Sequence, residues 1–505
     1  MSTIRMSGMI SGLDTDSLVK ELVSAQKLKN KKVSDKLTLS EWKEDKWKEL
    51  NTKLYSLYTT SVSKMRLQGS YLTKSVTASD STIASVTGGS DAPVGAHKLS
   101  VTSLAGSQYV TGGQLASDTK KTTTLDSLGI PSGTNITIKN GSNAAINYEV
   151  QSTDTIQTFL DKCNGAGLNA SFDETNRRFF ISSKESGTGN AFSITSGTNP
   201  SELTDLGLGE ITGTADVSAT DATTMSVRKA SNAVITLDGA QITSNSNTIT
   251  ANGLTLNLLE TTESGKEVTL NVSNNTDANY KLVKDFISSY NSILKEMNTL
   301  YYADSAKDYA PLSDDEKEAM TDTQVEQWES KIKDSILRRD DSLGTVINSI
   351  KSGMMSTYTD SSTGKTYSLA NFGIQTSSDY TEKGLLHIYG DSDDSTYSAQ
   401  TDKLKTAFAN DPDTTIKALT GIFQNLYNNL ATNMKSIPNV RSANTVYNDK
   451  LLDNEQTDYK KQIATLDSKL TDMENKYYKQ FSAMETAMAK MQSQSNSLAS
   501  LLGTN

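Results

Sequence analysis

The sequence predicts an α+β multidomain fold in which both ends are long helices of coiled-coil type, with a helical bundle and β-rich domains inserted between them. Three observations carry this. Apolar residues recur at intervals of three and four from residue 14 to about 67, and again from 463 to 502. From Tyr71 to about residue 275 the pattern changes to period two, in short β-branched runs separated by Gly, Ser, Asn and Asp. Helical spacing then returns at Asp277. A chain of 505 residues can bury several separate cores.

The first helix opens at SGLDTDSLVKEL, residues 11–22. Asp14 or Thr15 can accept hydrogen bonds from the free amides of the first turn, and Leu18, Leu22 and Val23 are expected on one face. Val33 and Leu37, then Trp47, Leu50, Leu54 and Leu57, continue at the same spacing, with Lys and Glu opposite. So long and narrow an apolar stripe needs a partner helix. The basic run Lys27, Lys29, Lys31, Lys32 reads as a solvated helix face.

The segments SVTASDSTIASVT, GAHKLSVTSLA, GLTLNLLETT and KEVTLNVS read as strands, and VITLDGAQIT as a hairpin turning at Asp238-Gly239. Within this region, residues 113 to about 225 hold a short helix, TDTIQTFLDKCNGAG. Two strands follow it, joined by a tight turn at Asp173 to Asn176, which together form a compact unit. From Asp277, one helical face carries Val283, Phe286, Ile287, Tyr290, Ile293, Leu294, Met297 and Leu300. A second helix is expected to carry Trp328, Ile332, Ile336 and Ile347, and a third to start with Asp411 as cap and Pro412 in the first turn. Residues 357–376 with LLHIYG form a small β excursion from this bundle.

The last segment is a heptad. Ile463, Leu466, Leu470 and Met473 alternate three and four; Tyr477 to Phe481 inserts an extra four, a stutter; Met484, Met488 and Met491 resume the seam toward Leu498 and Leu502. An intramolecular coiled coil accounts for the proximal part equally well. The last 20 or so residues, poor in charge and rich in Ser and Gln, suit packing inside an assembly, where soft Met side chains adapt to unlike neighbours. The simplest closure pairs the first helix with the last.

Composition excludes several classes. Residues 1–25 lack the basic and apolar regions of a cleaved secretory signal, no window approaches eighteen apolar residues, and the mean hydropathy is -0.47. Neither a membrane span nor, at a net charge of -10, a nucleic-acid surface is expected. The lone Cys163 allows no intramolecular disulfide and no cysteine-based zinc site. Only two histidines, His97 and His387, are present, which lowers the expectation of an enzyme. Ser and Thr make up about a quarter of the chain, as in extracellular assemblies.

GTGNAF at 187–192 lacks the third Gly and the βαβ context of a dinucleotide site, and there is no P-loop or HExxH. GDSDDSTYSAQTD at 390–402 places Asp391, Asp393 and Ser395 at calcium-ligand spacing, but Thr396 stands where Gly is needed and Asp402 where a bidentate Glu belongs. SDDEKEAM reads as a helix start capped by Ser313, and His387 as a surface-facing strand residue. No catalytic, cofactor or metal site is therefore expected.

SGLDTDSLVKELVSAQ, with the Lys-rich helix and WKELNTKLYSLYTT after it, resembles the N-terminus of the bacterial flagellar filament cap proteins, the flagellar hook-associated protein 2 family. DAPVGAHKLSVTSLA and ASNAVITLDGAQITSNSNTIT resemble strands bounding the head in that family; ESKIKDSILRRDDSLGTVINSIKS and LKTAFANDPDTTIKALTGIF resemble its helical leg. DTIQTFLDKCNGAGLNASFDETNRRFFISS is similar to a repeat of flagellin-related axial proteins, with Cys163-Asn164 where Ile-Asn usually ends the helix.

The resemblance implies terminal coiled-coil helices at 1–40 and 455–505, a helical-bundle leg at 41–70 and 277–454, a head at 71–112 and 226–276, and an outer head at 113–225. It implies a non-enzymatic cap without cofactors, exported by the flagellar type III apparatus without a cleaved signal and placed outside the cell at the filament tip. There it would form a homo-oligomeric ring, usually of five subunits, that promotes folding and insertion of flagellin. Implied partners are a second copy, flagellin, a hook-filament junction protein and a cytoplasmic export chaperone, the last at the C-terminal helix. The expected assembly motif is Ser11, Gly12, Leu13, Asp14, Thr15, Leu18 and Leu22. The expected contact seam is Ile463, Leu466, Leu470, Met473, Phe481, Met484, Met488 and Met491. A filament or junction subunit and a surface adhesin are the alternatives; the sequence displays no aromatic-rich sugar platform.

Overall fold

The computed structural model describes residues 12–197 and 199–501, and it has the expected α+β multidomain character with long terminal helices. Ser11 and Leu502 lie outside the described residues. The chain forms two compact units, one from the chain up to Tyr71 together with the chain from Thr276, the other from Leu72–Asn275.

In the first unit, the N-terminal helix Thr15–Ser56 continues through a π-helical turn at Leu57–Val62 to Ser63–Met65. Asp14 caps it, accepting from the Ser17 amide at 3.1 Å, with Asp16 in the first turn facing the positive helix end. Its partner is the C-terminal helix Asp449–Leu501, and the two run antiparallel. Cross-helix bonds fix the register: Glu44 to Gln456 at 2.8 Å, Glu41 to Lys460 at 3.3 Å, Asn30 to Asp467 at 2.7 Å and Asp16 to Tyr478 at 2.9 Å. The facing residues of the N-terminal helix are Val19, Val23, Gln26, Asn30, Val33, Leu37, Ser40, Glu44 and Trp47, all buried or half-buried and spaced by fours and threes.

This corrects the expected face. Val23 faces the partner, while Leu18 and Leu22 remain 37% and 47% exposed. A helix turns about 100° per residue, so a seam centred on Val19 and Val23 leaves the residues just before them on its flank.

The base of the pair enters a large core. There Trp47 stacks on Tyr447 at 5.3 Å, and Leu50, Leu54 and Leu57 pack among helices Thr276–Tyr301, Asp341–Met354, Lys403–Asn410 and Pro412–Asn433. Asp411 caps the last of these through the Thr414 amide at 3.1 Å, with Pro412 in the first turn.

The helix expected to span Trp328 to Ile347 is two helices, Asp322–Ser335 and Asp341–Met354. Arg339 turns left-handed at φ 52°, and Asp340 starts a new helix by accepting from the Leu343 amide at 3.1 Å while its other oxygen pairs with Lys43 at 2.8 Å. The β excursion consists of two ribbons, Tyr358–Thr359 with Thr366–Tyr367, and Ile374–Thr376 with Leu386–Ile388. Ser313 and Glu316 form a capping box at the start of Asp314–Glu318.

The second unit has two cores. The first lies between two antiparallel sheets. One is five-stranded, in the order Lys74–Ala78, Val268–Asn274, Gly95–Ser103, Ala233–Leu237, Ala240–Ser244; the other is three-stranded, Thr248–Ala251, Leu254–Leu258, Ala84–Gly88. Leu99, Val101, Ile235, Leu254, Leu256 and Leu270 fill it. The hairpin turns at Asp238 and Gly239 with φ 49° and 85°, the paired positive angles of a type I′ turn.

The second core packs the short helix Ile156–Gly165 against a four-stranded sheet, Ser226–Arg228, Tyr109–Thr111, Arg178–Ser183, Leu168–Asp173, and a three-stranded one, Ile146–Glu149, Asn135–Asn140, Phe192–Ser196. Phe159 and Phe179 meet edge to face at 5.7 Å within it. Asn164, just before the helix ends, donates to the Ala170 carbonyl at 3.1 Å and accepts from the Ala170 amide at 2.9 Å. Its carboxamide thus substitutes for a neighbouring strand along the sheet edge Leu168–Asp173.

Candidate functional site

The terminal helix pair leaves apolar side chains open to solvent, among them Leu18, Leu22, Met491 and Leu498. Of the N-terminal motif, Thr15 is buried, Asp14 serves as the cap, and Gly12, Leu13, Leu18 and Leu22 are exposed. The Ser17 hydroxyl and amide hold the Asp14 carboxyl below the usual carboxylate range, so the cap is ionised at neutral pH. Beside the seam that faces the C-terminal helix runs a second stripe, one residue earlier at each step: Leu18, Leu22, Ala25, Lys29, Lys32, Lys36. Every member is exposed, and the spacing again alternates four and three. Its first three members are small or apolar and its last three are lysines, so the room for a second helical neighbour lies at the N-terminal end of the helix.

On the C-terminal helix, Ile463, Leu466, Leu470, Met473, Phe481, Met484 and Met488 are half-buried. Met491 and Leu498 are 62% and 61% exposed. Because Tyr478 already lies opposite Asp16, the end of this helix runs past the start of helix Thr15–Ser56. The proximal seam residues therefore serve the intramolecular pair, and the distal ones lie toward its open end.

Elsewhere, polar clusters close on themselves. The Lys284 ammonium sits 2.6 Å from both Asp391 and Asp393, between the two carboxylates of the calcium-like loop. His387 is not the surface-facing strand residue expected: Glu382 and Asp394 each hold one ring nitrogen at 2.7 Å, and Tyr397 covers the ring at 4.5 Å. Residues outside the strand, Glu382 before it and Asp394 and Tyr397 after it, supply this cover, which strand alternation cannot register. Burial pushes the Cys163 thiol up to about 12, making it inert as a nucleophile. Among the described residues, no group of three or more His, Cys, Asp or Glu is arranged to hold a metal.

One surface escaped the sequence reading. On the four-stranded sheet, Tyr109 and Phe180 are 50% and 43% exposed, with the Arg228 guanidinium 5.4 Å from the Tyr109 ring. Asn169, Ser171 and Ser182 complete a recess around them. The signal lay in RFFISS, where exposed Phe180 alternates with buried Phe179 and Ile181.

Long paired ends, with folded units inserted and side-chain clusters that satisfy themselves, define a structural protein that works by packing. Residues 11–108 match the family model for the flagellar hook-associated protein 2 N-terminus, and residues 230–493 match that for its C-terminus. The chain belongs to the flagellar hook-associated protein 2 family, the flagellar cap proteins. Residues 109–229, which carry the second core and the Tyr109 face, fall between the two matches.

The flagellar hook-associated protein 2 of Halalkalibacterium halodurans is 27% identical over 557 residues, covering 98% of this chain and 99% of that one. The B-type flagellar hook-associated protein 2 of Pseudomonas aeruginosa is 24% identical, covering 88% and 87%. The crystal structure of the flagellar cap protein FliD D1-D2-D3 domains from Escherichia coli shares the fold, with a TM-score of 0.53 at 22% identity over 77% of this chain and 96% of that one. Among the described residues, no helix is long and apolar enough to cross a membrane.

Proposed function

We propose that the protein is a non-enzymatic cap at the tip of the flagellar filament, assembled as a homo-oligomeric ring, with five subunits as the expected number, that promotes folding and insertion of exported flagellin. The observation that carries this is the half-used terminal pair. It satisfies one seam of the N-terminal helix and leaves Leu13, Leu18 and Leu22, with the distal Met491 and Leu498, available to neighbours. Those neighbours are copies of the chain, flagellin helices and, at the start of assembly, a hook-filament junction protein. A cytoplasmic export chaperone is assigned to the C-terminal helix, and export runs through the flagellar type III apparatus.

In this reading residues 1–40 and 455–505 anchor, 41–70 with 277–454 form the leg, 71–112 with 226–276 the head, and 113–225 the outer head. Ser11 to Thr15, Leu18 and Leu22, with Ile463 to Met491, are the assembly residues. Burial of flagellin's apolar helix faces supplies the free energy, so no nucleotide site is needed.

Removal of residues 1–40 or 463–505 is expected to leave folded units but abolish filament growth; normal filaments from either truncation would sink the proposal. Immunogold against residues 71–275 separates the alternatives: label confined to filament tips supports the cap, along the shaft a filament subunit, at the hook a junction subunit.

A second reading, adhesion, is favoured by the exposed Tyr109 and Phe180 face, whose rings could stack on sugars. Mucin binding by the full chain that disappears in a Tyr109→Ala, Phe180→Ala double variant would support it, and no binding by the unaltered chain would remove it.

A further inference from the structure

We propose that the two histidines are each held as the imidazolium and act as proton-set clamps, His97 fastening the Asp238 hairpin turn in one unit and His387 fastening the Glu382 and Asp394 loops in the other. The inference stands apart from the cap reading and rests on hydrogen-bond valence. A neutral imidazole carries one N–H and one acceptor nitrogen, whereas the imidazolium carries two N–H groups. His97 Nδ1 lies 2.6 Å from an Asp238 carboxylate oxygen and Nε2 lies 2.9 Å from the Pro93 carbonyl. Both partners accept only, so both contacts are hydrogen bonds only when both nitrogens are protonated. His387 repeats the arrangement with two carboxylates, Glu382 on Nε2 and Asp394 on Nδ1, each at 2.7 Å.

The surroundings add little opposing charge. Around His97, Asp238 also accepts from the Lys98 amide at 2.8 Å, and the Lys98 ammonium is turned to Thr269 at 2.8 Å. The cross-strand partner of His97 is Leu270. Around His387, the cross-strand partner is Gln375, the ring neighbour is Tyr397, and the nearby Lys284 is held by Asp391 and Asp393. The Asp238 carboxylate and the Pro93 carbonyl raise His97 above its ordinary 6.5. For His387, burial works against the charge, but Asp394 and Glu382 outweigh it, and the net shift is also upward.

Each clamp is mechanical. Asp238 sits at φ 49°, and its carboxylate ties that turn to two successive residues of strand Gly95–Ser103, through the His97 ring and the Lys98 amide. His387 lies on strand Leu386–Ile388 and draws together the turn Tyr380–Glu382 and the loop containing Asp394. With a folded pKa above the unfolded one, each clamp contributes fully below pH 6.5 and is lost as pH rises through the folded value.

The test is nitrogen-detected NMR of the full chain with labelled histidine, the two signals assigned by His97→Gln and His387→Gln. At pH 7 both rings should show two protonated nitrogens, and each should titrate above 6.5. Amides at 238–240 and 380–394 should lose about tenfold in exchange protection, corrected for intrinsic rate, for each pH unit between 6.5 and the folded midpoint, and level off above it. Asp238→Asn, which keeps the shape, should lower the midpoint of His97 and leave His387 unchanged; Asp394→Asn should do the reverse. A single-protonated ring at pH 7, a midpoint at or below 6.5, or protection indifferent to pH overturns the clamp at that residue.

Discussion

Replacing Leu18 and Leu22 together by Ala separates docking from folding. Within the protomer these side chains are already partly covered, with 37% and 47% of their surface left open. Burying a whole leucine is worth about 1.5–3 kcal/mol, so covering the open fractions contributes about 1 kcal/mol per residue. The double variant should therefore weaken each intersubunit contact by about 2 kcal/mol, roughly 30-fold in dissociation constant. The protomer also loses the fractions already covered, about 1 kcal/mol per residue by the same measure, so association is the readout that separates the two faces. Val23→Ala provides the contrast: Val23 is fully buried against the C-terminal helix, and its truncation should cost the protomer about 1–3 kcal/mol. Sedimentation over a concentration series reads association, and urea unfolding of the dissociated chain reads stability. If the double variant loses as much stability as Val23→Ala while associating normally, the assignment of the two faces is wrong.

Three further outcomes are expected. Asp340→Ala removes the cap of helix Asp341–Met354 and should cost about 1–2 kcal/mol in urea unfolding, with Asp340→Asn recovering most of it. Gly421→Ala would ordinarily strengthen helix Pro412–Asn433 by about 1 kcal/mol. Here the new methyl would run into the Tyr358 ring, so the melting temperature should fall instead, and Tyr358→Ala should restore the helix gain. Asn164→Ala strips both bonds from Ala170 and should cost about 1 kcal/mol, with faster amide exchange confined to strand Leu168–Asp173.

Where a decision is made by neighbours in the chain, the sequence was a sufficient guide. Asp14, Ser313 and Asp411 are caps because their side chains reach amides three residues on, and Asp238-Gly239 turns because both residues tolerate positive φ. Where distant segments decide, it was not. The stripes Leu18–Leu22 and Val19–Val23 are adjacent and equally apolar, and only the register set by Asp16 with Tyr478 selects the second. The break at Arg339 has neither Gly nor Pro to announce it; Lys43, some 300 residues away, steadies the Asp340 cap. The strand Tyr109–Thr111 and its neighbour Ser226–Arg228 were missed because three residues are too few for alternation to show. The candidate surface was legible as a motif, but which of its leucines stay open was not.

The antiparallel terminal pair also sets an order of events. Asp16 and Tyr478, which touch, are separated by 462 positions, and Asn30 and Asp467 by 437. A chain that emerges from its N-terminus has made its first helix long before the complementary one exists. Until about the last fifty residues arrive, Val19 and Val23 lack their native cover, and the large loop-closure entropy of joining the ends is met only at completion. The inserted unit, whose contacts lie within Leu72–Asn275, can be finished by then. Closure of the ends therefore follows the folding of the inserted unit, and a chain that stops before Asp449 would leave the Val19 and Val23 seam of its first helix uncovered.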